Sequence, residues 1–71
     1  MKDFQLNASF HYWPGSFDKD RKEDAIAMVL PFESEEAVKK YLHEVSIVKR
    51  KSWEDKGFRC RILSEEVTEL P

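Results

Sequence analysis

The stretch that most constrains the fold is residues 34 to about 53, where apolar side chains recur at the spacing of an amphipathic helix. The apolar face of this helix carries Val38, Tyr41, Leu42, Val45, Val48 and Trp53. The opposite face carries Lys39, Lys40, His43, Glu44, Ser46, Arg50 and Lys51. A helix with one apolar face must pack against another element, and the remaining sequence predicts strands. We therefore expect one long helix lying on a small sheet.

Both ends of the helix carry residues that are typical of helix termini. Ser34 is the predicted N-cap, because its hydroxyl can accept a hydrogen bond from an N–H group of the first turn. Glu35 and Glu36 follow it, where carboxylates suit the positive end of the helix dipole. Gly57 predicts the end of the helix.

Ile47 lies off the apolar stripe, in a β-branched group with Val45 and Val48. One interpretation is that the helix bends or breaks near Ser46, or that Ile47 contacts a partner. The other is an unbroken helix with one stray apolar side chain. We favour the second interpretation, because single exposed apolar side chains are common on protein surfaces.

Residues 4–13 alternate between apolar and polar side chains, which predicts a strand with one face on a core. The inward set is Phe4, Leu6, Ala8, Phe10 and Tyr12, and the outward set is Gln5, Asn7, Ser9, His11 and Trp13. A second strand is predicted at residues 25–32, where a continuous apolar run suggests that both faces are partly covered. Pro31 marks the end of this strand or an edge of the sheet.

A third strand is predicted from Gly57 to about Leu63, with Phe58, Cys60 and Ile62 facing the helix and the arginines facing outward. The fold class is therefore α+β, with the order β-β-α-β in one domain of residues 1–71. The sheet is antiparallel in the order 2-1-3, with the helix on one face. Residues 14–24 are predicted to form a charged mobile loop. Residues 64–71 form an acidic tail that extends the last strand or frays.

Nothing in the sequence predicts catalysis, a metal site or a cofactor, so we expect a protein that is not an enzyme. Cys60 is the only cysteine, which excludes a disulfide framework, and its inward position suggests a small buried apolar group. His11 and His43 belong to different elements that place them far apart. Gly15 and Gly57 are the only glycines, so there is no phosphate-binding loop. No apolar run is long enough to span a membrane, and we expect a cytoplasmic protein.

The predicted partner-binding site is the sheet face that the single helix leaves open. It presents His11 and Trp13 from the first strand beside Arg59 and Arg61 from the third, and tryptophan and arginine are enriched at interface hot spots. The alternative is an ordinary half-polar surface on which arginine stems cover Trp13. Half of the twelve basic residues lie between Lys49 and Arg61, so the site also includes Lys49, Arg50 and Lys51.

These residues suit a larger protein with an acidic patch, or single-stranded nucleic acid, in which arginines contact phosphates and aromatic rings stack on bases. The intermixed acids Glu54 and Asp55 weigh against nucleic acid. The chain is expected to be a monomer or a weak homodimer through an exposed edge strand.

The layout resembles that of small phage-encoded inhibitors of bacterial RNA polymerase. The resemblance covers roughly residues 25–63 and consists of a helix with a polar cap, the pair Gly57-Phe58 that opens the last strand, and the alternating Arg59 and Arg61. It implies a phage or prophage protein without enzymatic activity, which occupies a surface of a larger host complex. It also implies that Arg59 and Arg61 are contact residues.

Overall fold

The computed structural model describes residues 1–15 and 21–71. The elements follow in the order β1 (Lys2–Pro14), β2 (Lys22–Phe32), α1 (Glu35–Asp55) and β3 (Phe58–Glu69). The three strands form one antiparallel sheet in the order β2-β1-β3, and α1 packs on one face of it, mainly over β3. The predicted fold class, strand order and helix position are confirmed.

The central strand β1 carries most of the core. Its alternation is as predicted, since Phe4, Leu6 and Phe10 are almost completely buried against α1. A strand of 13 residues spans about 44 Å at roughly 3.4 Å per residue, and the molecule measures 44 × 18 × 14 Å. The domain is therefore a narrow ribbon as long as its central strand.

The helix begins where its cap predicts, because the Ala37 N–H donates to Ser34 Oγ at 3.2 Å. It continues without a break through Ser46 to Asp55, and Gly57, with φ of +91°, provides the left-handed residue that ends it.

The buried stripe of α1 is rotated from the predicted one. Its fully buried residues are Val38, Leu42 and Ser46, whereas Tyr41 and Val48 are 38% and 67% exposed. Ser46 was expected on the polar face, and that expectation is wrong. Residues four apart lie nearly on one line along a helix, so contact centred on Val38 and Leu42 brings Ser46 onto the sheet and turns Val48 to the flank.

Strand β2 begins at Lys22, three residues before the predicted start. The segment Lys22 to Asp24, expected within the charged loop, therefore pairs with β1, and the loop residues 16–20 lie outside the described part of the chain. The expectation that both faces of β2 are covered is wrong: Ile26 faces the core, and the alternating Ala25, Ala27 and Val29 are exposed. β2 is an edge strand, as Pro31 suggested.

Strand β3 continues to Glu69, so the acidic segment after Leu63 extends the strand rather than fraying. A bulge interrupts its pairing with β1: Ile62 lies opposite Phe10, but Ser64 lies opposite Ser9. The extra residue, Leu63, is 46% exposed. One inserted residue exchanges the two faces of a strand, so Ile62 faces the helix before the bulge and Val67 faces it afterwards.

A candidate partner-binding face

The candidate site lies on the open face, meaning the face of the sheet opposite α1, at the end where β1 finishes and β3 begins. The register places Trp13 opposite Arg59 and His11 opposite Arg61. Side chains of directly paired residues in an antiparallel sheet project to the same side. The structure therefore brings together four of the seven predicted site residues.

Arg59 and Arg61 are exposed, and among residues 1–15 and 21–71 neither has a carboxylate oxygen within 4 Å of its guanidinium. His11 differs, because its Nε2 lies 3.8 Å from Glu23 Oε1. This end of the open face therefore presents two cations that no neighbouring acid neutralises in the described part of the chain.

Arg21 belongs to the same end of the open face, although it was not among the site residues predicted from the sequence. Its guanidinium carbon lies 4.7 Å from the centroid of the Trp13 ring, a cation–π distance. The arginine that covers Trp13 is thus Arg21 and not one of the arginines of β3. Extending the register in which Tyr12 pairs with Lys22 places Arg21 opposite Trp13. Arg21 was missed because β2 was predicted to start at residue 25, which left Arg21 in the loop.

The other three predicted site residues, Lys49, Arg50 and Lys51, lie on α1 and therefore across the sheet from the open face. Lys49 Nζ lies 3.2 Å from Asp24 Oδ2, and Arg50 Nε lies 3.9 Å from Glu54 Oε1. Lys51 is exposed on the helix. The single basic site expected from the sequence is thus divided between two sides of the molecule.

Beneath the site, on the helix side of the sheet, the side chains of Tyr12, Asp24, Trp53 and Phe58 form a cluster that we call the aromatic clasp. Tyr12 and Trp53 stack with centroids 3.8 Å apart, and Phe58 meets both rings edge-on at 5.6 and 5.3 Å. Trp53 Nε1 donates to Asp24 Oδ2 at 2.9 Å. Since Tyr12 and Phe58 immediately precede Trp13 and Arg59 in the chain, the clasp fixes the backbone that displays the site.

Asp24 is held in its charged form within the clasp. Partial burial alone would raise the pKa of its carboxyl group. The hydrogen bonds from the Trp53 indole and the Ala25 N–H, together with the Lys49 ammonium, outweigh burial and hold the pKa below its ordinary value.

Next to the arginines, the open face contains a depression of about 500 Å³, lined by Ser9, Phe10, Glu23, Asp24, Ala25 and Leu63. Two of these residues, Ser9 and Ala25, have small side chains, and Ser9 Oγ hydrogen-bonds Ser64 Oγ at 2.6 Å. The outward position of Ser9 was predicted from the sequence, whereas that of Ala25 was not, because residues 25–32 were expected to be covered on both faces. The bulge that brings Leu63 to the rim had no sequence signal.

The titratable groups that the sequence offered for catalysis are dispersed. Cys60 is half-buried on the helix side, and burial raises the pKa of its thiol, as do the nearby charges of Asp24 and Glu54. His43 lies on α1, with its Nδ1 3.1 Å from Glu65 Oε1, whereas His11 lies on the open face. No group of three or more His, Cys, Asp or Glu side chains is arranged to hold a metal ion within the described ranges.

Comparisons with protein-family models, with curated proteins and with solved structures give no match. In the part of the chain that the structure describes, α1 is not apolar enough to cross a membrane.

Proposed function

We propose that this protein is a non-enzymatic binding module that attaches to a larger protein through its open face and modulates it. The observation that supports the proposal is the pair of exposed arginines, Arg59 and Arg61, beside Trp13 and without an opposing carboxylate in the described residues. Unpaired arginines next to an aromatic ring are typical of interface hot spots.

A protein partner fits the face better than single-stranded nucleic acid does. A nucleic-acid strand needs a continuous path of cations and ring faces free for stacking. Here Arg21 already covers Trp13, Glu23 lies opposite His11, and Glu66 follows Arg61 along β3. The positive region is therefore short and bounded by acids, which suits a patch on a folded protein.

The resemblance to phage inhibitors of RNA polymerase names a first candidate for the larger partner. In this proposal the chain acts in the cytoplasm, is encoded by a phage or prophage, and occupies a surface of the host enzyme through Arg59 and Arg61. Purified bacterial RNA polymerase is therefore the first partner to test by calorimetry.

The general test is affinity capture from a bacterial lysate, with and without nuclease, using two charge-matched double variants. R59E/R61E reverses both arginines of β3 on the open face, and K39E/K40E reverses two exposed lysines of α1 that lie outside the predicted site. We expect the wild type and K39E/K40E to capture the same protein after nuclease treatment, and R59E/R61E to lose it with an unchanged circular dichroism spectrum.

Two results would contradict the proposal. Full capture by R59E/R61E would show that the open face is not the contact surface. Loss of every captured species on nuclease treatment, with binding that weakens steeply as salt rises, would favour the nucleic-acid alternative.

A further inference from the structure

We infer that the open face recognises an extended acidic segment of its partner, with two carboxylates on Arg59 and Arg61 and an apolar side chain in the adjacent depression. This inference depends on the proposed function, because it specifies the chemistry that the same face selects. It concerns one short segment of the partner, whatever the fold of the rest.

The spacing of the arginines defines the acidic part of the segment. Arg59 and Arg61 are two residues apart on one side of β3, a separation of about 6.8 Å along the strand. Carboxylates at alternate positions of an extended peptide repeat at the same distance. A guanidinium group can bind a carboxylate with two hydrogen bonds, and both arginines are exposed and unopposed within the described ranges.

The depression defines the apolar part. On β1 the rows of the open face follow one another as Trp13, His11 and Ser9, so the depression at Ser9 lies one row beyond the His11–Arg61 pair. A peptide that follows β3 with acids opposite Arg59 and Arg61 brings its next alternate side chain over Ser9 and the rim residue Leu63. The predicted motif is therefore acid-x-acid-x-apolar for a peptide that runs parallel to β3, and apolar-x-acid-x-acid for one that runs antiparallel to it.

The charge beyond the depression sets the side of it on which the acids of the segment lie. Glu66 lies opposite Asn7 in the next row, and it is exposed. A carboxylate on that side of the apolar residue would meet a like charge, which disfavours the reversed placement. Along β3 the open face is thus positive on one side of the depression and negative on the other, while Glu23 of β2 lies at the rim opposite His11.

The free edge of β2 offers little competition as a docking site. Leu70 N–H donates to the Asp3 carbonyl at 2.9 Å, so the backbone N–H and C=O of Asp3 point toward β3. Pro31 is paired with Asp3 across β1 and β2, and the backbone groups of Pro31 therefore point the opposite way, toward the free edge of β2. Pro31 has no N–H to donate there. The edge N–H of Ala25 already donates to Asp24 Oδ1 at 2.8 Å. These features blunt the edge against strand addition and against a homodimer through β2.

The test is selection of a displayed library of random twelve-residue peptides on the immobilised full chain. We expect enrichment of peptides with two acids at alternate positions and an apolar residue two positions beyond them, before or after them in the sequence. Binding of an enriched peptide should fall roughly ten- to a hundredfold in R59Q/R61Q, because charged hydrogen bonds are lost. The matched variant K39Q/K40Q, at two exposed lysines of α1 outside the predicted site, should bind as the wild type does.

A second variant tests the depression separately. Ala25→Leu, at an exposed position, partly fills the depression. It should reduce the preference for an apolar residue and leave the preference for acids. Enrichment of neutral or basic peptides, no enrichment, or equal binding by R59Q/R61Q would overturn the inference.

The two proposals fail in different ways. If the selection yields no acidic motif while R59E/R61E still abolishes capture of the partner protein, the open face binds by another chemistry and only the inference is lost. If R59E/R61E retains full capture, the proposed function is lost and the inference with it.

Discussion

The two sides of the sheet at the end of β1 use similar residues for opposite purposes. On the helix side, Trp53 stacks on Tyr12 and donates to Asp24, and Lys49 lies 3.2 Å from the same carboxylate. On the open face, Trp13 and the arginines of β3 lie beside no such acid in the described part of the chain. The presence of the Asp24 carboxylate therefore distinguishes the structural cluster on the helix side from the candidate binding surface on the open face.

The difference follows from the cost of removing charge from water. Lys49 and Asp24 are partly buried, with side chains 32% and 24% exposed, and a partly buried charge needs a partner to offset its lost hydration. Arg59 and Arg61 are exposed and remain hydrated, so the lack of a carboxylate partner among the described residues costs them little. Counting basic residues along the sequence does not reveal this distinction.

The largest expected difference in stability is between variants that replace the two tryptophans. Trp53→Ala removes the stacking partner of Tyr12 and the donor to Asp24, and should lower the free energy of unfolding by about 3 kcal/mol. That is most of the stability of a domain of this size. Trp13→Ala removes a ring on the open face and should cost less than about 1 kcal/mol. Urea denaturation followed by circular dichroism measures both.

A conservative variant separates the two contributions of Trp53. Trp53→Phe keeps an aromatic ring against Tyr12 but loses the hydrogen bond to Asp24, and should cost about 1 to 2 kcal/mol. Equal destabilisation by Trp13→Ala and Trp53→Ala would remove the distinction between the clasp and the open face.

The second prediction concerns the carboxylate of the clasp. Because the fold holds the pKa of Asp24 below its ordinary value, its contribution to stability is complete above a pH of about 4 and is lost as the pH falls through the lower pKa of the folded state. Asp24→Asn should be less stable by about 1.5 kcal/mol at pH 7. The gap between variant and wild type should narrow in acid. Urea titrations at several pH values between about 2 and 7 would show a constant gap if Asp24 had an ordinary pKa.

Much of the fold was predictable because local pattern and tertiary packing agree. The alternation of β1 and the cap at Ser34 each determine an element on their own. The rotation of α1 was not predictable, since it depends on which groove of the sheet the helix occupies. Val48 was therefore expected in the core and is exposed, while Ser46 is buried.

The candidate site was predicted in part for the same reason. His11 and Trp13 follow from the alternation of β1, and Arg59 and Arg61 from that of β3. Lys49 was grouped with these arginines because it is near them in the sequence. In the structure the sheet separates Lys49 from the arginines, and Lys49 forms an ion pair with Asp24. The depression depends on the bulge before Ser64, and no glycine or proline near this bulge predicts it from the sequence.

Ser46 is a buried polar residue on the helix side that, unlike Asp24, lacks a hydrogen-bond partner among the described residues. It is fully buried, and its Oγ has no hydrogen-bond partner within the described residues. Ser46→Ala should therefore raise the free energy of unfolding by about 1 kcal/mol, through relief of the unpaired hydroxyl and better helix propensity. Ser52→Ala, at an exposed position of α1, gains propensity alone and should give about 0.5 kcal/mol. Equal gains would show that the hydroxyl of Ser46 costs nothing where it lies.

The last prediction has the smallest effect on stability and compares the reactivity of a thiol on each side of β3. Burial, with nearby acids, raises the pKa of Cys60, so little reactive thiolate forms at neutral pH. A thiol at position 61 faces the open side beside exposed Arg59, which favours the thiolate. At pH 8 the double variant Cys60→Ser/Arg61→Cys should react with iodoacetamide roughly tenfold faster than the wild type. The two rates should converge in denaturant, because the difference belongs to the faces of the sheet. Equal rates in the folded proteins would mean that the helix side admits water and reagent as freely as the open face does.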